Sequence, residues 1–177
     1  MEYNENGTLK SFEAKVIQKD IDNDLALIKI NDENFKAEAI KYSICESGML
    51  NVGASVFTIG YPFALGGMGK DAKFTDGKVS AKTGYEGAIN SFQTSIPVQP
   101  GNSGGPVFNE KGQLIGLINA KFSGGDNVSY AIKLNYIKNI IELLPESIVL
   151  PATSIENLGL EEKIKAISSH VVLIKIK

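Results

Sequence analysis

One serine lies inside a run of glycines and prolines, where its hydroxyl could act as a nucleophile. The run reads Gln99-Pro100-Gly101-Asn102-Ser103-Gly104-Gly105-Pro106. A serine hydroxyl attacks a carbonyl usefully when a base takes its proton and backbone N–H groups face the oxyanion that forms. Glycine lets the main chain come that close. An idle serine in a glycine-rich turn is the alternative, but this order of residues, followed by the strand-like Val107-Phe108, favours a nucleophile loop.

The elements that must position this loop are mostly strands. Short alternating or β-branched runs end at Gly, Pro, Asn or Asp, which is typical of a β-barrel or sandwich. A helical period predicts a helix from Leu134 to Leu144, ended by Pro145, and Ser154 to Ile167 is weakly helical. Strands are predicted at Phe12–Ile17, Leu25–Ile30, Ser55–Ile59, Thr75–Ala81, Ser91–Thr94, Pro106–Phe108, Gln113–Ala120, Ser129–Ile132 and Val171–Ile176.

The order of these motifs resembles the trypsin-like serine peptidases, and the Asn before Ser103 resembles the HtrA/Deg branch in particular. The likeness runs from about residue 12 to 144. It rests on Phe12–Ile17, Asp24–Ile30, Val56–Phe63, Thr75–Ala81, Phe92–Ser95, the Ser103 loop, Leu114–Ala120 and Tyr130–Ile132. The resemblance implies an all-β, trypsin-like double β-barrel with an incomplete first barrel and a C-terminal helix. It places the peptidase domain at residues 1–145 and a tail with a short helix and a final strand at 146–177.

The resemblance also implies a role for each site residue. Ser103 would be the nucleophile, and the N–H groups of Gly101 and Ser103 would form the oxyanion hole. Asp24 would orient a histidine, an assignment that rests on the Leu-Ala-Leu-Ile sequence that follows it. The extended backbone of Ile118, Asn119, Ala120 and Lys121 would pair with a substrate strand.

The general base departs from the family pattern. In the family a histidine precedes the aspartate, whereas none occurs in the 23 residues before Asp24. We therefore expect a truncated first barrel and an inactive chain. The one histidine, His170, lies in Ser168-Ser169-His170-Val171-Val172, which is similar to the family's sequence around its catalytic histidine. A rearranged strand that brings His170 to Ser103 is one alternative; a structural histidine at a sheet margin is the other.

Composition excludes several classes of function. A net charge of −2 with scattered lysines argues against nucleic-acid binding. One cysteine excludes an internal disulfide, and one histidine far from that cysteine gives no credible metal site, so we expect neither a metal nor another cofactor. No apolar stretch long enough to insert into a membrane and no signal peptide occurs in this sequence, and the bacterial envelope and the cytoplasm both remain candidate compartments.

Three functional hypotheses follow. The first is a serine endopeptidase that acts on peptides or unfolded proteins through an acyl-enzyme at Ser103. The second is a non-catalytic module of the same fold that binds extended peptides, which the missing base favours. The third is a structural β-domain that assembles with itself, so a homo-oligomer is among the partners considered. Since Ile96, Pro97 and Val98 contain no acid, we expect a small or medium aliphatic side chain at the cleavage site rather than Arg or Lys.

Overall fold

The computed structural model describes residues 1–5, 8–45, 50–64, 66–67, 69–121 and 126–175. Strands occupy the chain up to residue 133, and both helices follow. The strands are β1 (Glu2–Glu5), β2 (Thr8–Ser11), β3 (Ala14–Asp20), β4 (Leu25–Ile30), β5 (Ser55–Gly60), β6 (Lys73–Ala81), β7 (Ser91–Thr94), β8 (Pro106–Asn109), β9 (Leu114–Lys121) and β10 (Ser129–Lys133); the helices are α1 (Leu134–Glu142) and α2 (Leu160–Ser168).

Six strands close into an antiparallel barrel in the order β10-β7-β6-β5-β8-β9. Closure pairs the strand edges that an open sheet would leave exposed. The barrel interior is filled by apolar side chains, among them Val79, Phe92 and Val107, which are at most 1% exposed. The predicted all-β fold is therefore confirmed, and this barrel is the scaffold on which the Ser103 loop is mounted.

Two antiparallel ribbons lie outside the barrel, β1 with β2 and β3 with β4. Within the described residues the β3–β4 sheet contains no third strand, in line with the expected incomplete first barrel. Its outer surface is partly apolar, because Val16 and Ile17 on β3 are 50% and 45% exposed. The ribbon carries Asp24 in its turn.

The helices cover a second apolar cluster on the outside of the barrel. Leu134, Ile137 and Ile140 of α1 are buried there, as is Ile167 of α2. Lys163 of α2 is also buried, and its Nζ donates a hydrogen bond of 2.8 Å to the carbonyl of Glu110. No helix within the described ranges is long and apolar enough to cross a bilayer.

The C-terminal segment differs from the prediction. A strand was expected over Val171–Ile176, but only Leu173 forms a bridge, to Glu2, through two hydrogen bonds of 2.7 and 2.8 Å. Ile176 lies outside the described residues. The Glu2 carboxylate also accepts bonds from Lys70 at 3.0 Å and Lys175 at 2.7 Å. The segment is thus held by β1, a strand that sequence reasoning did not predict.

Candidate active site

The Ser103 loop joins β7 to β8 and places the serine side chain in solvent. The neighbouring Asn102 points inward and is only 2% exposed, with its side chain against Gly60. Gly101 and Gly104 have φ of 101° and 79°, a region that side-chain-bearing residues rarely adopt. These two glycines therefore let the chain bury Asn102 while it presents Ser103 outward.

Two amides of residues 101–105 are left available as donors. Within the described part of the chain, the N–H groups of Gly101 and Ser103 bond no acceptor. The other three amides of this stretch are satisfied: Asn102 donates to Gln99 O at 2.9 Å, Gly104 to Ile118 O at 2.7 Å and Gly105 to Asn102 O at 2.9 Å. Unpaired amides beside an exposed hydroxyl are the donors that an oxyanion needs.

Strand β9 holds the loop from the other side. Besides accepting the Gly104 bond, Ile118 donates from its own N–H to the carbonyl of Gly105 at 2.8 Å. Ile118 is 2% exposed and belongs to the barrel core. Its burial fixes the loop to a rigid strand, as a positioned nucleophile requires.

The same strand also contacts the predicted acid. Asn119, the residue after Ile118, donates from Nδ2 to Asp24 Oδ2 at 3.2 Å. Asp24 ends the β3–β4 turn with φ of 54°, a left-handed conformation that Asp tolerates better than most residues. Adjacent residues of β9 therefore bring the acid and the nucleophile loop to one edge of the barrel.

Side-chain hydrogen bonds stiffen the turn that carries Asp24. Asn23 donates to the Asp20 carboxylate from both its backbone N, at 3.1 Å, and its Nδ2, at 2.7 Å. Its Oδ1 accepts from Asn90 Nδ2 of the loop before β7 at 3.0 Å. Asp20 therefore organises the turn that carries Asp24.

His170 lies elsewhere. It follows α2 and lines a cavity of about 900 Å³ together with Tyr42, Tyr61 and Asp71; neither Ser103 nor Asp24 lines that cavity. Its ring meets Tyr42 edge-on at 5.9 Å, and its buried Nε2 has no hydrogen-bond partner within the described structure. The structure does not bring His170 to the other predicted site residues.

The environment of His170 favours a neutral imidazole. Burial lowers the pKa of His170, the nearby Glu38 acts in the opposite direction, and Lys41 lowers it further. Burial also raises the pKa of the Tyr42 hydroxyl, the ring that His170 contacts. These groups form a weakly polar cluster apart from the serine.

The predicted cleft wall has one available edge. Residues 118–121 of β9 pair with β10 on one side, and on the other side Ile118 is bonded to the nucleophile loop. Beyond Ile118 that second edge has no partner strand within the described residues. The side chains of Ala120 and Lys121 lie outside the described part of the structure. An extended peptide could form backbone hydrogen bonds at this edge.

Sequence reasoning missed an acid beside the nucleophile loop. A cavity of about 210 Å³ is lined by Ile96, Pro97, Val98 and Gln99 on one side and by Asp126, Asn127 and Val128 on the other. Gln99 connects this wall to the loop through its carbonyl bond to the Asn102 amide. The sequence shows that residues 96–99 contain no acid. Asp126 lines the cavity because the fold brings residues 126–128 opposite them, although the two segments are distant in sequence.

Comparison with known proteins agrees with the observed fold. Residues 2–117 match the family described as "Trypsin-like peptidase domain". The periplasmic serine endoprotease DegP of Salmonella typhimurium is 37% identical over 145 residues, which cover 77% of this chain and 29% of DegP. A serine protease HtrA-like protein of Staphylococcus aureus is 32% identical over 148 residues, which cover 76% of this chain and 19% of that protein.

A solved structure is similar to this chain in both fold and sequence. The serine endoprotease from Yersinia pestis superposes with a TM-score of 0.61 and 30% identity, over 79% of this chain and 46% of that one. The chain spans less than a third of the length of these two curated relatives.

Proposed function

Because this chain belongs to the trypsin-like peptidase family and is similar to its HtrA-type members, we propose that its site is built for acyl transfer from peptide bonds at Ser103. The observation that carries the proposal is the pairing on β9: Ile118 holds the nucleophile loop, and Asn119 holds Asp24. The substrates would be peptides or unfolded proteins.

Each group has a defined part in the reaction. The Ser103 Oγ forms a bond to the substrate carbonyl carbon while its proton passes to an imidazole. The amides of Gly101 and Ser103 donate to the oxygen that becomes negative. The carbon–nitrogen bond then breaks, the leaving amine takes the proton, and water hydrolyses the acyl-enzyme by the same steps in reverse. Asp24 orients the imidazole and stabilises its charged form.

The base is the part that residues 1–177 do not supply beside Ser103. His170 lines a different cavity, so a histidine from outside these residues or from another chain would have to complete the triad. Loss of one triad member typically lowers turnover by about six orders of magnitude. We therefore propose that residues 1–177 alone are inactive as a peptidase.

Labelling with a fluorophosphonate probe tests this proposal. We expect residues 1–177 to remain unlabelled at neutral pH, like the Ser103→Ala variant, and to gain Ser103-dependent labelling when a histidine-bearing partner or exogenous imidazole is added. His170→Ala serves as the matched control. Labelling of the wild type that disappears in both variants would contradict the proposal, because it would make His170 the base.

A non-catalytic peptide-binding module is the second candidate function. It is favoured by the available β9 edge next to a serine that has no general base beside it. Fluorescence anisotropy with a labelled extended peptide distinguishes the two. Binding that is equally strong in the wild type and in Ser103→Ala would support the module. An extended peptide that binds neither of these two proteins would count against it.

A further inference from the structure

Tyr61 connects the C-terminal segment with the nucleophile loop. It follows β5, it is only 5% exposed, and its hydroxyl donates a buried hydrogen bond of 2.8 Å to the carbonyl of Val171. Val171 lies three residues after the last residue of α2, Ser168, and is itself buried. This hydrogen bond joins residues that are 110 positions apart in the sequence.

The backbone of residues 61–63 contacts the nucleophile loop. The Tyr61 N–H donates to Gly101 O at 3.3 Å, and the Phe63 N–H donates to Pro100 O at 2.8 Å. The approach is close, because a Cβ on Gly101 would collide with the Tyr61 carbonyl oxygen. Two successive peptide groups of the loop, those after Pro100 and after Gly101, are therefore held by residues 61–63.

Planarity of the peptide bond gives these contacts a chemical consequence. The carbonyl of Pro100 and the N–H of Gly101 belong to one planar unit and point in opposite directions when the bond is trans. The hydrogen bond from Phe63 to Pro100 O thus fixes the direction of the Gly101 N–H. That N–H is one of the two unpaired amides beside Ser103.

We propose that Tyr61 is a positioning residue for the oxyanion donors, through which the segment after α2 sets the orientation of the Gly101 amide. The inference rests on the proposed acyl-transfer function for its meaning, although the coupling itself is a property of the fold. The hydroxyl tethers residues 61–63 at one end, and their two N–H groups clamp the loop at the other. Loss of the tether leaves the loop free to rotate its peptide groups.

Amide hydrogen exchange in the Tyr61→Phe variant tests the coupling, because the substitution removes one oxygen and leaves the ring in place. We expect the amides of residues 61 and 63 to exchange on the order of fivefold faster, the factor that corresponds to one net hydrogen bond. The amide resonances of Gly101 and Ser103 should shift with them. The buried Ala131 amide in β10 serves as the reference for global opening.

Three matched proteins make the result decisive. Tyr130→Phe removes a hydroxyl from β10 and should leave the loop amides unchanged. Ile167→Val loosens α2 without touching the tether, so it shows the effect of lower stability alone. Substitution of 3-fluorotyrosine at position 61 keeps a donor hydroxyl and should keep exchange slow. Even if Tyr61→Phe does not fold, faster exchange at residues 61 and 63 in this protein would contradict the coupling.

The coupling is refuted if Tyr61→Phe leaves the amides of residues 61 and 63 as protected as in Tyr130→Phe. It is equally refuted if Ala131 exchange rises by the same factor, since the tether would then stabilise only the whole fold. None of these measurements depends on a reactive serine. If fluorophosphonate labelling of Ser103 failed even with a histidine-bearing partner or imidazole added, the proposed function would be overturned and this result would stand.

Discussion

Gly101 combines two requirements that a side chain would violate. Its φ of 101° lies in a region that favours glycine, and its Cα approaches the carbonyl of Tyr61 so closely that no Cβ fits. Gly53 shares the first requirement, with φ of 87°, but has nothing within 4 Å of a built Cβ. The pair therefore separates backbone strain from steric collision at single residues.

We expect Gly101→Ala to lower the free energy of unfolding by more than Gly53→Ala does. Backbone strain costs both variants roughly 1–2 kcal/mol, whereas only the residue 101 methyl also displaces Tyr61. Urea denaturation of both variants measures the difference. Equal losses would mean that the loop moves away from Tyr61 without cost, and the close approach would then have no energetic weight.

The element that follows α2 carries a histidine whose surroundings penalise its charge. Burial is the main cause of the lowered pKa of His170, and its buried Nε2 has no hydrogen-bond partner within the described structure. Tyr42 packs against the ring, Glu38 partly offsets the burial and Lys41 adds to it. Protonation of His170 should thus oppose the docking of this segment.

This environment sets the sign of a pH dependence. The pKa of His170 is lowered from its usual 6.5 in the folded state, so below pH 6.5 the unfolded chain takes up the proton first. The contribution of His170 to the free energy of unfolding is therefore fully present above pH 6.5, and it is lost as the pH falls through the lower pKa of the folded state. We expect the melting temperature of the wild type to decrease from pH 7.5 to 5.0 relative to that of His170→Phe. Parallel curves for the two proteins would contradict this expectation.

At the scale of the whole molecule, the barrel is closed but the β3–β4 ribbon is not. Val16 and Ile17 on β3, and Ile21 in its turn, are 50%, 45% and 87% exposed. An unpaired strand with exposed apolar side chains is a template for pairing with another chain. The homo-oligomer considered from the sequence stays a prediction, and this is the surface at which we expect it to form.

We expect Val16→Lys to reduce concentration-dependent association, because a charge on an exposed strand disfavours pairing between chains. Sedimentation velocity over a hundredfold range of concentration measures it. Val149→Lys is the control, since Val149 is 92% exposed but lies away from the ribbon in sequence. A wild type that remains monomeric throughout would remove the ribbon as an association surface.

Local patterns predicted many of the strands well. The strands Leu25–Ile30 and Ser91–Thr94 have the bounds that alternation indicated. The residues Glu2–Glu5 and Thr8–Ser11 escaped prediction because they are polar and nearly free of β-branched residues. The apolar run at Val171 indicated a strand, yet only one bridge forms, because pairing depends on which partner the fold brings alongside.

Part of the candidate site could likewise be predicted from the sequence, and part of it could not. Ser103 and Asp24 stand in motifs that the sequence displays, and the structure connects both to β9; their catalytic roles remain predictions, as does the division into residues 1–145 and 146–177. Tyr61 and Asp126 acquire their positions only through contacts distant in sequence, so no local pattern could indicate them. The sequence shows no histidine before Asp24, and the structure places the one histidine, His170, in a separate cavity; the lack of a base beside Ser103 stays a prediction.

The bridge between Glu2 and Leu173 brings the two ends of the described chain together. Backbone hydrogen bonds join these residues, and the Glu2 carboxylate also binds Lys175. Chain that precedes residue 1 and chain that follows residue 175 would therefore leave the molecule from neighbouring positions. A short linker between the ends would give a circularly permuted protein, with new termini opened in an exposed turn such as Glu110-Lys111.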